Sequence, residues 1–181
     1  MIKEPLSLRM RPNHIDEIIG QEHLLGEGKM LRRMVESNYI SSMILFGPPG
    51  TGKTSTAFAI AKSLNLPVRS LNAVIHRKKD LEIVVEEAKM LGHLVLILDE
   101  VHRLDKARQD FLLPHLEENL FTLIGTTTSN PYHAINPAIR SRTHLFELKP
   151  LSQTEIELAI ERALTDKEKG FGERNITLTE E

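Results

Sequence analysis

Eight consecutive residues, Gly47-Pro48-Pro49-Gly50-Thr51-Gly52-Lys53-Thr54, constrain this chain more than any other stretch. They satisfy the spacing G-x-x-x-x-G-K-[ST], follow an apolar run at Met43–Phe46, and open a segment of helical period. Glycines let a strand turn sharply into a helix with its backbone N–H groups aimed inward, around a hollow suited to phosphate oxygens. The helix N-terminus adds partial positive charge at the same spot. In such a loop Lys53 reaches the β- and γ-phosphates of a nucleotide, and the Thr54 hydroxyl ligates Mg²⁺.

The rest of the chain repeats the strand-then-helix alternation that makes a parallel α/β sheet. Pro67–Leu71, Leu94–Leu98, Leu120–Ile124 and Leu145–Leu148 read as four strands beside Met43–Phe46, apolar enough to be covered on both faces. Leu24, Leu25, Met30, Leu31, Met34 and Val35 form one helical stripe, and Ala57, Phe58, Ile60, Ala61 and Leu64 another. Leu81, Val84, Val85, Ala88 and Leu91 recur at i, i+3, i+4, i+7. Phe111, Leu112 and Leu116 predict a helix that Pro114 kinks or ends. Asn136-Pro137 reads as an N-cap followed by proline in the first helical position.

After Pro150 the pattern changes. Ser152-Gln153-Thr154-Glu155 is a capping box that predicts a helix through about Leu164. A polar loop, Thr165 to Asn175, follows, and Thr179-Glu180-Glu181 reads as an N-cap with an acidic first turn. The expectation is an α/β core over residues 1–149 and a truncated helical unit over 150–181, in a fragment of a longer protein.

Leu94-Val95-Leu96-Ile97-Leu98-Asp99-Glu100 is an apolar strand ending in two carboxylates. Ligands of parallel sheets bind at the carboxyl ends of the strands, which brings Asp99 and Glu100 beside the phosphate loop. Asp99 is expected to hold Mg²⁺, directly or through water, and Glu100 to polarise an attacking water as general base. No Asn-Lys-x-Asp element for guanine occurs, so an ATPase is favoured over a GTPase.

Composition excludes several other chemistries. The chain has no cysteine, hence no disulfide, thiolate zinc site or cysteine nucleophile. Its eight histidines form no His-x-x-x-His pair beside a carboxylate, and His102 is expected to support the Asp99-Glu100 strand rather than bind metal. No Gly-x-Ser-x-Gly elbow is present. No run is long enough to span a bilayer, and the first residues lack a signal-peptide core, so a soluble intracellular protein without membrane contact is expected. A net charge of −2 leaves any nucleic-acid contact to a local patch.

Gly47–Thr54, Asp99-Glu100-Val101-His102-Arg103-Leu104 and Ser141-Arg142 together resemble AAA+ proteins of the clamp-loader clade. Arg9-Met10-Arg11-Pro12, Ile18-Ile19-Gly20-Gln21-Glu22-His23, Gln109 through Glu117 and Ile124 through Pro131 narrow the resemblance to the replication-associated recombination protein A family, from about residue 5 onward. That resemblance implies a five-stranded AAA+ core flanked by helices, the start of a helical lid, and an oligomerisation region beyond residue 181. It implies a homo-oligomeric, DNA-dependent ATPase of replication-fork maintenance, recombination and repair. Single-stranded, gapped or forked DNA, single-stranded-DNA-binding protein, and a cytoplasmic, nucleoid-associated location come with it.

By the same resemblance Asn130 matches the sensor that orients the lytic water, with Thr128 as the alternative. Arg142 matches the finger that reaches a neighbour's nucleotide, with Arg140 close by. Arg11, Pro12, Ile18 and Ile19 match the stretch that packs on adenine, although Ile18 and Ile19 equally suit a core. The lid arginine called sensor 2 falls beyond the chain. His76-Arg77-Lys78-Lys79 is the densest basic cluster; it reads either as a DNA contact or as a solvated face, since no aromatic residue is interleaved. Three other readings stand beside the DNA-dependent ATPase: a nucleotide-gated scaffold with little turnover, a clamp-loader subunit, and a Holliday-junction branch-migration motor.

Overall fold

A computed structural model describes residues 4–174 and 176. In chain order it contains α1 (Leu6–Arg9), a 3-10 turn (Ile15–Glu17), α2 (Glu22–Leu25), α3 (Met30–Glu36), β1 (Met43–Phe46) and α4 (Lys53–Ser63). There follow β2 (Val68–Asn72), α5 (Lys78–Leu91), β3 (Val95–Asp99), a 3-10 turn (Val101–Arg103), α6 (Lys106–Glu117) and β4 (Thr122–Thr127). The chain continues through α7 (Pro131–Ala134), α8 (Pro137–Arg140), β5 (His144–Glu147) and α9 (Gln153–Thr165). The capped start read at Thr179-Glu180-Glu181 lies outside the described residues.

Five strands form one sheet in the order β2-β3-β4-β1-β5, every pair parallel. Parallel neighbours require crossover connections, and the helices supply them. Alternate strand residues point to opposite faces. Ile44, Leu96, Leu98 and Leu123 therefore pack with Leu81, Val84, Val85 and Ala88 of α5 and with Leu112 and Leu116 of α6. Met43, Leu45, Val95, Ile97 and Ile124 pack on the other side with Leu31 and Val35 of α3 and with Ala57, Ile60 and Ala61 of α4. The AAA+ arrangement expected from the sequence is thus realised, with helices on both faces of the sheet.

Three local expectations need correction. The stripe from Leu24 to Val35 is two helices, because Gly26, Glu27 and Gly28 break it between α2 and α3. Pro114 does not end α6, which continues to Glu117; its missing N–H removes one ladder bond near the end of a helix already anchored by Leu112 and Leu116. Strand β4 starts at Thr122 rather than Leu120 and runs on to Thr127, with all six residues buried.

The capping box at the start of α9 forms as read: Ser152 accepts from the Glu155 N–H at 3.3 Å, and its own N–H donates to Glu155 Oε2 at 2.7 Å. None of α9 is buried, and Arg162 ties it back by donating to the Glu17 carbonyl at 2.6 Å. Among the described residues no helix is long and apolar enough to cross a membrane.

Candidate functional site

The carboxyl edge of the sheet carries a cavity of about 360 Å³ whose walls include Gly50, Gly52, Lys53, Thr54, Asp99 and Glu100. The loop above it is shaped by glycine. At Gly47 (φ 147°) a Cβ would lie 2.2 Å from the Leu148 carbonyl oxygen, so no side chain fits. Gly52 takes the left-handed conformation (φ 84°) from which α4 starts, leaving the first N–H groups of α4 free for an acceptor.

Lys53 is 9% exposed and folds back over the loop. Its ammonium donates to the Gly47 carbonyl at 2.9 Å, the Pro48 carbonyl at 2.6 Å and Thr51 Oγ1 at 3.4 Å. Burial pushes its pKa below the ordinary lysine value, against the opposing pull of Glu100 and then Asp99. A buried cation held only by carbonyls and a hydroxyl is suited to an incoming anion.

Across the cavity, Asp99 Oδ1 accepts from Thr54 Oγ1 at 3.0 Å and from Thr126 Oγ1 at 2.6 Å. A carboxylate and a hydroxyl meet here as an oxygen-only donor pair. Mg²⁺ suits such a pair, since it takes one or two protein oxygens and completes its octahedron with water and phosphate. Among the described residues no cluster of three His, Asp or Glu side chains forms a self-sufficient metal site.

Glu100 leaves the strand in the left-handed region (φ 56°, ψ 42°), unusual for a residue with a side chain. The turn separates its carboxylate from that of Asp99 and brings Oε2 within 3.3 Å of His102 Nδ1, itself 2.9 Å from Thr127 Oγ1. His102 thus sits behind the strand end, between Glu100 and Thr127.

A second, smaller cavity of about 170 Å³ adjoins the first and shares Gly50, Gly52 and Ser55 with it. Its walls are largely apolar, with Met10, Pro12, Ile18, Ile19 and Leu151 among them. A polar hollow and an apolar one thus lie on either side of one loop.

Three predicted site residues lie away from these cavities. Arg11 is half-buried on the α4 side, its guanidinium 4.4 Å over the Phe58 ring; Met10 takes the place beside Pro12. Asn130 caps α7, accepting from the Tyr132 N–H at 2.9 Å, and Thr128 rather than Asn130 reaches the larger cavity. Arg142 is exposed, paired with Glu117 and donating to the Ala138 carbonyl at 2.9 Å. Its neighbour Arg140 lies 5.2 Å over the Tyr132 ring.

Sequence reasoning missed Thr126, Asn72, Leu151 and Arg162. Asn72 was legible in principle, as the residue after the apolar run of β2 and the register partner of Asp99. Leu151 and Arg162 carried no local signal, because they reach the cavity only through the return of α9.

Residues 43–151, more than half of the chain, match the ATPase family associated with various cellular activities (AAA). The chain belongs to that family. The matched stretch of this AAA domain runs from β1 to Leu151 and includes the phosphate loop, Asp99-Glu100, Thr128, Asn130 and Arg142. Replication-associated recombination protein A of Bacillus subtilis is 59% identical over 98% of the chain, and that of Escherichia coli K12 is 42% identical over 98%. The narrower resemblance thus extends along nearly the whole sequence. The chain spans only 42% and 41% of the lengths of those two relatives. In three dimensions it is similar to the Thermotoga maritima RuvB Holliday junction branch migration motor, with a TM-score of 0.72 at 29% identity, covering 87% of this chain and 54% of that one.

Proposed function

We propose that this AAA domain binds Mg²⁺–ATP and hydrolyses it at a subunit boundary, within a homo-oligomeric, DNA-dependent ATPase of replication-fork maintenance, recombination and repair. The observation that carries the reading is the convergence of Lys53, Thr54, Asp99 and Glu100 on one cavity beneath the glycine loop. Sequence relatedness of 59% to a replication-associated recombination protein favours that role over branch migration, since the RuvB likeness stands at 29%.

In this reading the loop N–H groups and the α4 N-terminus hold the phosphates, and Lys53 exchanges its carbonyl contacts for phosphate oxygens. Thr54 and Asp99 hold Mg²⁺, which supplies charge neutralisation at the transferred phosphoryl group. Glu100 accepts a proton from the attacking water, and Thr128 or Asn130 orients that water. Pro12, Ile18 and Ile19 pack on the base. Arg142, exposed on the α8–β5 corner, serves the nucleotide of the next subunit. Residues 150–174 form the start of the lid.

DNA contact is assigned to the cluster Arg77-Lys78-Lys79, all three exposed at the start of α5. Neutralising Lys78 and Lys79 in the full-length protein should flatten the salt dependence of DNA binding, and an unchanged slope removes the patch. The central test is calorimetry of the folded chain with Mg²⁺–ATP, where saturable binding is expected and no affinity for adenine nucleotide refutes the reading. ATPase rates of the full-length protein on single-stranded, gapped and forked DNA then identify the activating structure.

A further inference from the structure

Gly20 and Gln21 adopt left-handed backbone one after the other (φ 75° and 62°). Glycine takes this region freely, whereas a residue with a Cβ resists it and keeps it only where neighbouring contacts enforce it. For Gln21, 5% exposed, those contacts come from its carboxamide. Nε2 donates to the Lys149 carbonyl at 2.8 Å, and Oε1 accepts from the Lys149 N–H at 2.9 Å. The side chain thus pairs with the N–H and the C=O of one residue, as a neighbouring antiparallel strand would. A third, longer contact of 3.4 Å runs from Nε2 to the Thr51 carbonyl in the phosphate loop. Two residues on, a His23 ring nitrogen lies 2.8 Å from the Glu147 carbonyl, extending the same attachment.

Lys149, the residue gripped by Gln21, lies two residues before Leu151, a wall of the apolar cavity, and just ahead of α9, which brings Arg162 to the same cavity. The opposite wall, Ile18 and Ile19, lies immediately before Gly20. Gly20 itself runs close to the far wall, since a Cβ there would lie 2.8 Å from Leu151 Cδ2. The carboxamide is therefore one of the ties, with the Arg162 bond to the Glu17 carbonyl, that hold the two sides of the pocket together.

We infer that Gln21 is a positioning residue for the nucleoside end of a bound nucleotide: its paired hydrogen bonds to Lys149 set the width of the pocket between Ile18-Ile19 and Leu151. The inference rests on the nucleotide reading above. It separates the two halves of the site, because Gln21 governs the grip on the base while Lys53, Thr54 and Asp99 govern the grip on the phosphates.

The test is calorimetry of the full chain with Mg²⁺–ATP and, separately, with Mg²⁺–tripolyphosphate, which has no base. Gln21→Gly removes the carboxamide while relieving the left-handed backbone, so folding is retained; Gln21→Glu keeps the shape but loses the donor. Gln21→Gly is expected to raise Kd for ATP about tenfold and to leave tripolyphosphate within about twofold, and Gln21→Glu, whose second carboxylate oxygen faces the Lys149 carbonyl, to raise Kd for ATP at least as far. Equal losses for both ligands, or unchanged ATP affinity, overturn the inference. An unaltered chain that binds neither ligand refutes the nucleotide reading itself. One that binds tripolyphosphate as tightly as ATP refutes only the role of the apolar pocket, and the Gln21 inference with it.

Discussion

The two cavities that meet at the phosphate loop are built in opposite ways. The larger draws its acidic and hydroxyl groups from adjacent strand ends, where register alone brings Asn72 level with Asp99 and hydrogen bonds join Thr126 to it. The smaller gathers Met10, Ile18, Gly50 and Leu151 from segments far apart in sequence, joined by a few side-chain bonds such as Arg162 to the Glu17 carbonyl. Polar chemistry is thus placed by the sheet, whose inner strands β1, β3 and β4 are largely buried. Shape recognition is left to the periphery, where the attachments are a few part-buried side-chain bonds rather than a sheet ladder.

The largest effect should fall on the sheet side. Glu100→Gln in the full-length protein is expected to lower ATP turnover by about a thousandfold with ATP affinity kept, as measured by steady-state hydrolysis and calorimetry. Undiminished turnover removes Glu100 from the general-base role. Lys53→Ala should weaken ATP and tripolyphosphate alike, by about a hundredfold, since it removes a charge-assisted contact common to both. The same lysine predicts a pH dependence. Its depressed pKa means that raising pH toward the ordinary lysine value strips its proton sooner than from a surface lysine, so affinity for either ligand should fall across that alkaline range. A titration showing flat affinity there contradicts the assignment.

Smaller and more selective effects belong to the periphery. Ile19→Ala should weaken ATP by about tenfold and spare tripolyphosphate, and a matching loss for both would erase the distinction between the cavities. Ser152→Ala removes the α9 cap, costing about 1 kcal/mol of local helix stability. Hydrogen exchange should detect that change in α9 while β1 and β3 keep their protection.

The same division separates what the sequence disclosed from what it withheld. The phosphate loop and the Asp99-Glu100 strand end were legible because each is a contiguous signal attached to an apolar run. Strand β4 was misplaced because Gly125, Thr126 and Thr127 read as polar, yet they sit between β1 and β3 with every residue buried. Their burial follows from sheet order, which no local pattern contains. Asn130-Pro131 shows the converse: Asn-Pro is a local turn signal, and it is that chemistry, capping α7, which holds the Asn130 side chain away from the cavity. Leu151 and Arg162 were invisible for the reason that makes the smaller cavity peripheral, since their approach depends on the return of the chain.

Strand β1 has its partners late in the chain, Met43 lying opposite Ile124 on one side and His144 on the other. During synthesis the loop and its strand therefore emerge with nothing to hydrogen-bond to. At ribosomal speed the wait until residue 147 has been added is on the order of ten seconds. Through that interval the apolar segment is exposed to chaperones and to other nascent chains. Arrested translation products that stop short of β5 should accordingly remain open to protease, and resistance should arrive only once both flanking strands have cleared the exit tunnel.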